Sequence, residues 1–483
     1  MPLAIGRVGN TASGWSAGVC RGAKPPTCYH IPMNTRGPLS LYLHIPFCSL
    51  KCAYCDFNSY AGLEGLIPSF VEALIAEARL WAQVAGGRPV PTVFFGGGTP
   101  SLLPLAHIER IMAALRDSFR LDPDAEVTLE ANPGTLREPQ GERMEDYLRG
   151  LRAAGVNRLS FGVQSFHDDE LAALDRIHSA ADALDSYRWA REAGFARINL
   201  DLIYGLPEQP MERWQSTLEQ AIGLAPEHLS LYALTVEEGT KLAYDVAHGR
   251  AAEPDPDLQA SMYEWSCRRL AAAGYQQYEI SNWCRPGEEC RHNLVYWRNG
   301  EWLGLGPGAH SHLRGNKEQG TGNWEQGTQN GGPKGRAKFQ VPSSRFHAYR
   351  FANLHSPRRY LEKVRETVDD ASPLTLRYRR ASGSDHIPDV QRLLASMRQV
   401  SFVEPQTNDV AMADTAILAL RLNEGLRASE FRRRFGRDPD QVFGPALPEM
   451  AALGLLERSD GRIRLTDRGH YLANEVFVRL LPE

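Results

Sequence analysis

The chain has 483 residues, 42% of them hydrophobic, eight cysteines and a formal net charge of −4. That length allows roughly three domains with large cores, and so balanced a charge removes any composition-level case for nucleic-acid binding. With no uncharged apolar run of about 18 residues and no signal-peptide core, the chain is expected to be soluble and cytoplasmic.

Residues 1–38 are rich in Gly and Pro, lack helical or strand periodicity, and hold no acidic residue, the first being Asp56. Gly and Pro oppose the amphipathic helix of a transit peptide, so this stretch is expected to be a disordered leader or to lie upstream of a true start at Met33. From residue 39 to about 235, short β-branched and apolar runs alternate with helical patterns. The predicted strands are 39–45, 92–97, 126–132, 158–165, 198–205 and 228–234, with helices such as 69–83 and 179–194 between them. Six β/α units in succession imply an α/β fold, a parallel sheet rolled into a barrel or left partly open. The C-terminal strand ends then converge on one mouth. Those ends are polar: Gly97, Gly98 and Thr99, then Glu130, Gln164 and Asp201.

Directly after the first strand, "PFCSLKCAYCDF" places Cys48, Cys52 and Cys55 in a C-x3-C-x2-C pattern. Structural zinc takes four ligands, usually as two separated pairs, whereas the next cysteine here is Cys267. A [4Fe–4S] cubane normally takes four thiolates, so a triplet leaves one iron open. Such an iron can chelate the amino and carboxylate groups of S-adenosylmethionine (SAM), and an electron from the cluster can then release a 5′-deoxyadenosyl radical.

The triplet, with "YLHIPFC" before it and "YCDF" through it, resembles the radical SAM superfamily, and within it the oxygen-independent coproporphyrinogen III oxidase-like family. "FFGGGTPSLL", "LEANP", "LSFGVQSF", "NLDLIYGLPEQ" and "HNLVYWRNGEWLGLGPGAHS" extend the likeness from about residue 39 to 312. The resemblance implies a partial (β/α)6 barrel in which Cys48, Cys52 and Cys55 hold the cluster and Tyr42 and Tyr54 help place SAM. It puts Gly97, Gly98 and Thr99 at the methionine end, Glu130 on SAM, and Gln164, Arg176 and Asp201 along the nucleotide pocket. No catalytic residue is assigned.

Within the family, the decarboxylating oxidases carry a fourth cysteine two positions after the third, where this chain has Phe57. That difference, with the "HNLVYW" motif (292–297), resembles the HemW branch of haem chaperones. A haem carrier is therefore expected, the alternative being a radical enzyme that decarboxylates coproporphyrinogen III. His292 is the candidate axial ligand of haem iron. The implied partners are haem, a haem-acceptor protein, an electron donor such as flavodoxin or ferredoxin and, transiently, a membrane surface, without nucleic acid. Cys284, Cys290 and His292 form a C-x5-C-x-H cluster, but with no fourth ligand nearby a second metal site is not expected.

Beyond residue 312 the glycine-rich stretch 313–345 reads as a flexible insertion, 346–366 as helix-like, and 369–408 as a second linker, so that 346–411 forms a connecting segment. Residues 412–483 predict helices followed by a hairpin at Asp460-Gly461, a winged-helix-like order, with Ser429 capping the second helix. Its natural reading helix, 442–453, has no Lys or Arg, so it is expected to pack or bind a partner rather than DNA.

Overall fold

The computed structural model describes residues 37–85, 87–136, 143–314, 348–381 and 390–482. The leader and the glycine-rich insertion lie outside them, apart from residues 37, 38, 313 and 314. All six predicted barrel strands form: β1 (Ser40–Ile45), β2 (Pro89–Gly97), β3 (Arg120–Ala131), β4 (Arg158–Gln164), β5 (Arg197–Tyr204) and β6 (His228–Ala233). They pair in sequence order, each parallel to the next. The crossovers include α1 (Ile67–Ala85), α2 (Leu105–Ser118), α3 (Met144–Ala154), α4 (Ala180–Glu192) and α5 (Met211–Gly223). Ser179 and Asp182 close a reciprocal capping box that starts α4, which satisfies two backbone donors at its end.

Strand register sorts the side chains into two faces. Leu43, Phe95, Leu129 and Leu159 share one row across β1 to β4 and are fully buried in the main core, as are Leu74 and Ile111 of the covering helices. The opposite face carries Tyr42, Phe94 and Thr128 in one row and Glu130, Ser160, Asn199 and His228 in another. A polar interior therefore runs down the barrel.

Among the described residues the sheet does not close. Past β6 it continues through β7 (Gln276–Glu279) and β8 (Asn282–Cys284); past β1, through β9 (Trp302–Leu305), β10 (His310–Arg314), β11 (Ala348–Asn353) and β12 (Val400–Gln406). Among the described residues the strand order is β12-β11-β10-β9-β1-β2-β3-β4-β5-β6-β8-β7. Two expectations are corrected here. The stretch read as helix-like from 346 begins instead with strand β11, and only from Pro357 does a helix, Pro357–Ala381, follow. Residues 400–406, read as linker, form β12, whose Pro405 and half-exposed Phe402 are tolerated because this is the edge of the sheet.

The C-terminal region forms helices Asn408–Leu420, Ala428–Phe435 and Ala446–Ala452 with a three-stranded sheet of Leu426–Arg427, Arg462–Leu465 and Leu456–Ser459. Asp460 and Gly461 both take positive φ, +51° and +71°, as a two-residue hairpin turn of this type requires. Ser429 does not cap its helix: Arg427 occupies that position, with no side-chain cap. The region has its own core, into which Ile280 of the barrel packs, and Glu279 bridges to Leu422. No helix among the described residues is long and apolar enough to cross a membrane.

Candidate functional site

The cysteine loop leaves β1 at the barrel mouth. Cys48 is buried beneath it, while Cys52 and Cys55 are partly open. Thr99 Oγ1 donates to Cys48 Sγ at 3.5 Å, Arg176 Nη1 donates to Cys52 Sγ at 3.3 Å, and Cys55 Sγ lies 4.0 Å from Ser59 Oγ. Burial raises the Cys55 thiol; the backbone at Phe57 and the Ser59 hydroxyl oppose this, and Cys52 and Cys48 add to it, so the three thiols share one electrostatic neighbourhood.

The glycine segment packs directly against this loop. A Cβ at Gly98 would lie 2.6 Å from Phe47 O and 3.1 Å from Cys48 Sγ, and one at Gly97, where φ is +114°, would strike the His44 ring at 2.6 Å. Only glycine permits that approach. Gly97 N–H in turn donates to Glu130 Oε2 at 3.1 Å. Beside it, the missing Cβ of Gly96 would touch Tyr42 at 3.1 Å and Glu130 at 3.2 Å. On the far side of the mouth, Arg176 Nη2 donates to Gly162 O at 2.6 Å, and Gln164 takes a φ of +68° where the β4–β5 register shifts. A non-glycine residue in that region is strained, and such irregularities re-aim side chains at functional sites. Tyr54 joins the halves: burial raises its phenol, Arg176 opposes, and Cys52, Cys55 and Asp201 add to the rise.

The two mouth carboxylates differ. Asp201 accepts from Ser160 Oγ and Asn199 Nδ2, one bond to each oxygen, both at 2.9 Å. Glu130 accepts a single bond, and among the described residues its Oε1 has none. Burial, and secondarily Asp201, push Glu130 up to about 8 against the pull of Gly97 N–H. Arg176 likewise keeps Nε buried without a partner among the described residues. The site thus holds an unspent acceptor and an unspent donor facing a polar interior, as an amino-acid and nucleoside ligand would require.

Three thiols with a glycine wall also suit a cluster. No trio of His, Cys, Asp or Glu among the described residues converges as ligands of a single ion would, whereas a cubane takes each thiolate at a different iron. The remaining described cysteines stand apart: burial pushes Cys267 up to about 11, and Cys284 and Cys290 to about 12.

Cys48, Cys52, Cys55, Tyr42, Tyr54, Gly97, Gly98, Thr99, Glu130, Gln164, Arg176 and Asp201 therefore gather at one mouth. His292 does not. It sits in the helix Arg291–Trp297, one layer deeper, with its ring 5.1 Å from Phe94 and 6.5 Å from Tyr42. Nδ1 pairs with Thr92 Oγ1 at 2.7 Å, Nε2 with Tyr296 OH at 2.9 Å, and the residue is 1% exposed. Burial lowers it to about 3. The expectation that His292 ligates haem iron is corrected: both ring nitrogens are committed and no face is open, so it serves as part of a polar plug with Thr92, Ser40 and Glu126.

Sequence reading missed several contributors. Ser160, Asn199 and Ser230 support the mouth from interior positions of β4, β5 and β6, and their period-two placement was the available signal. His44 is braced by Tyr42 OH at 3.1 Å and Asn58 O at 2.9 Å. Asn58 Nδ2 donates to Pro307 O at 3.0 Å and His355 O at 3.1 Å, clasping the cysteine loop to the distal chain. Glu77 of α1, fully buried, holds the same turn: it accepts from Gly306 N at 2.9 Å, Asn353 Nδ2 at 2.8 Å and Tyr360 OH at 2.6 Å.

Residues 42–221 match the Radical SAM superfamily and residues 406–472 the HemN C-terminal domain. A protein of Mycobacterium tuberculosis named Heme chaperone HemW is 46% identical over 279 residues, 57% of this chain and 70% of that protein. Its Escherichia coli namesake is 45% identical over 275 residues, 56% and 70% of the two chains. That of Bacillus subtilis is 32% identical over 445 residues, 92% and 99%. Among solved structures, coproporphyrinogen III oxidase (HemN) of Escherichia coli shares the fold with a TM-score of 0.68 at 24% identity, covering 92% of this chain and 90% of that one.

Proposed function

We infer that this chain, which belongs to the HemW family within the radical SAM superfamily, binds haem and passes it to an acceptor protein. Membership of the superfamily implies a [4Fe–4S] cluster and SAM. Cys48, Cys52 and Cys55 would hold the cluster, which when bound supplies the electron for reductive cleavage of SAM. Gly97, Gly98 and Thr99 would lie along the methionine end, with Tyr42 and Tyr54 flanking. Glu130 would offer its free oxygen to an N–H of the amino group, and Gln164, Arg176 and Asp201 would line the nucleoside side. An electron donor such as flavodoxin or ferredoxin would serve the cluster at the barrel mouth.

The observation favouring a carrier over a decarboxylase is Phe57. In place of a fourth thiol the loop presents an aromatic ring that is 64% exposed, an apolar surface for a porphyrin rather than a donor for chemistry. Anaerobically reconstituted protein is expected to bind about one haem per chain, and to form no protoporphyrinogen IX from coproporphyrinogen III with SAM and reductant. SAM-dependent decarboxylation at about 1 per second or faster, an ordinary enzyme turnover, would overturn the carrier reading.

The role of Glu130 has its own pH signature. With its carboxyl raised to about 8, the free site holds the proton at pH 7, and an N–H donated by the ligand's amino group favours the charged form. Binding therefore releases a proton, so SAM affinity should rise with pH, roughly tenfold per unit well below 8, and level off above it. Isothermal titration calorimetry in buffers of different ionisation enthalpy measures the release. Glu130→Gln should flatten the profile, and an unchanged slope in that variant would remove Glu130 from this role.

A further inference from the structure

We propose that haem docks on the outer rim of the cysteine loop, with its iron ligated by one imidazole of the exposed pair His310 and His355 and its ring extending towards Phe57. This rests on the haem-carrier reading and assigns its site. Porphyrin supplies four equatorial nitrogens, so the protein needs only one or two axial donors, and the requirement is an imidazole with a free lone pair facing solvent. Several described histidines fail it. His44, His228 and His292 have both ring nitrogens hydrogen-bonded inside the protein, and His178 and His312 are buried. His248 is exposed and pairs through Nδ1 with Tyr244 O at 2.7 Å, which leaves Nε2 open, but its ring is stacked on Tyr244 at 4.0 Å rather than set beside a second histidine.

His310 and His355 are both exposed, and among the described residues neither ring makes a hydrogen bond. They are neighbours: His355 acts on the titration of His310, whose imidazole is held below its usual range mainly by burial, and both act on His44. A lowered value keeps His310 neutral and able to ligate at pH 7. Their backbones are fixed. His310 opens β10 and pairs with Ala352 of β11, while His355 follows the end of that strand and accepts from Asn58 Nδ2 at 3.1 Å and Tyr60 OH at 3.3 Å. Asn58 is the immediate neighbour of Phe57, so the exposed ring sits on the loop that is clasped to the His355 backbone. Lys51, exposed and bonded through Nζ to Phe57 O at 3.2 Å, supplies a cation for a haem propionate.

Haemin titrated into the anaerobically reconstituted full chain, followed by Soret difference spectra and electron paramagnetic resonance, tests the site. The His310→Ala/His355→Ala double variant should lose the histidine-ligated spectrum and at least tenfold in haem affinity, while cluster content stays at the wild-type level. Phe57→Ala should weaken binding several-fold with the ligation spectrum intact. A double variant with unchanged spectrum and affinity overturns the proposal and leaves the carrier reading standing. Wild-type protein that takes up no haemin defeats the carrier reading and this site with it. Both histidines are surface residues whose rings contribute to no core, so the variants should fold; cluster content and circular dichroism verify that they do.

Discussion

Replacing Cys48, Cys52 or Cys55 by Ala is expected to abolish the visible absorption and the paramagnetic signal of the anaerobically reconstituted protein. Alanine at Cys267, Cys284 or Cys290 should leave both in place. The difference is one of grouping. The first three thiols share one loop at the mouth, where Cys48 and Cys52 act on Cys55 and Thr99 and Arg176 donate to two of them. The other three are isolated by burial that pushes them to about 11 or 12, far from the ionised form that binds iron. Cys290 has a structural duty, its thiol lying 3.7 Å from Glu126 Oε1. Some loss of stability there is compatible with a full cluster. Retention of cluster signals in a Cys52→Ala protein would refute the three-thiolate assignment.

The largest expected stability effect lies outside the mouth. Glu77→Ala should lower unfolding free energy by on the order of 3 kcal/mol, read from urea denaturation. It leaves Gly306 N–H, one of the two N–H groups of Asn353 Nδ2 and Tyr360 OH without their acceptor in the interior, the other Asn353 N–H keeping Gly306 O, and orphaned buried donors cost roughly 1–3 kcal/mol each before relaxation. Gln is no clean rescue. Both carboxylate oxygens accept from donors, so either amide orientation turns an N–H₂ towards another N–H. Cluster content should fall along with stability, because the turn held by Glu77 also backs the cysteine loop: a Cβ at Gly306 would lie 2.5 Å from His44 O, and one at Gly308 2.4 Å from Asn58 Nδ2. A variant within about 0.5 kcal/mol of the parent, the range of ordinary surface changes, would show that the node is not structural.

The barrel was legible because its six strands are buried on both faces and so read as apolar runs between helical patterns. The strands that extend the sheet were not. β8 and β9 are three and four residues long, and β12 contains a proline that only an edge position explains. At the mouth, residues adjacent to the cysteine loop or ending strands announced themselves by type and place. Glu77 did carry a signal, since it stands on the stripe Leu74, Ala78 and Trp81 at helical spacing, where an acid must be satisfied by something distant. His292 shows the opposite limit. Its neighbours in sequence suggest a ligand, but what decides its role is Thr92, 200 residues away, and local sequence holds no record of such a partner.

The clasp made by Asn58 imposes an order of events on synthesis. The cysteine loop is among the first structured segments to leave the ribosome, yet the carbonyls that Asn58 grips belong to residues 249 and 297 positions later. At about 5–20 residues per second, the nascent loop waits roughly 15–60 s for the second of them. During that interval the thiols stand in a peptide without its backing wall, exposed to oxidants and to stray metal ions. A chain that has not yet reached residue 355 therefore presents the whole cysteine motif without the second half of its clasp.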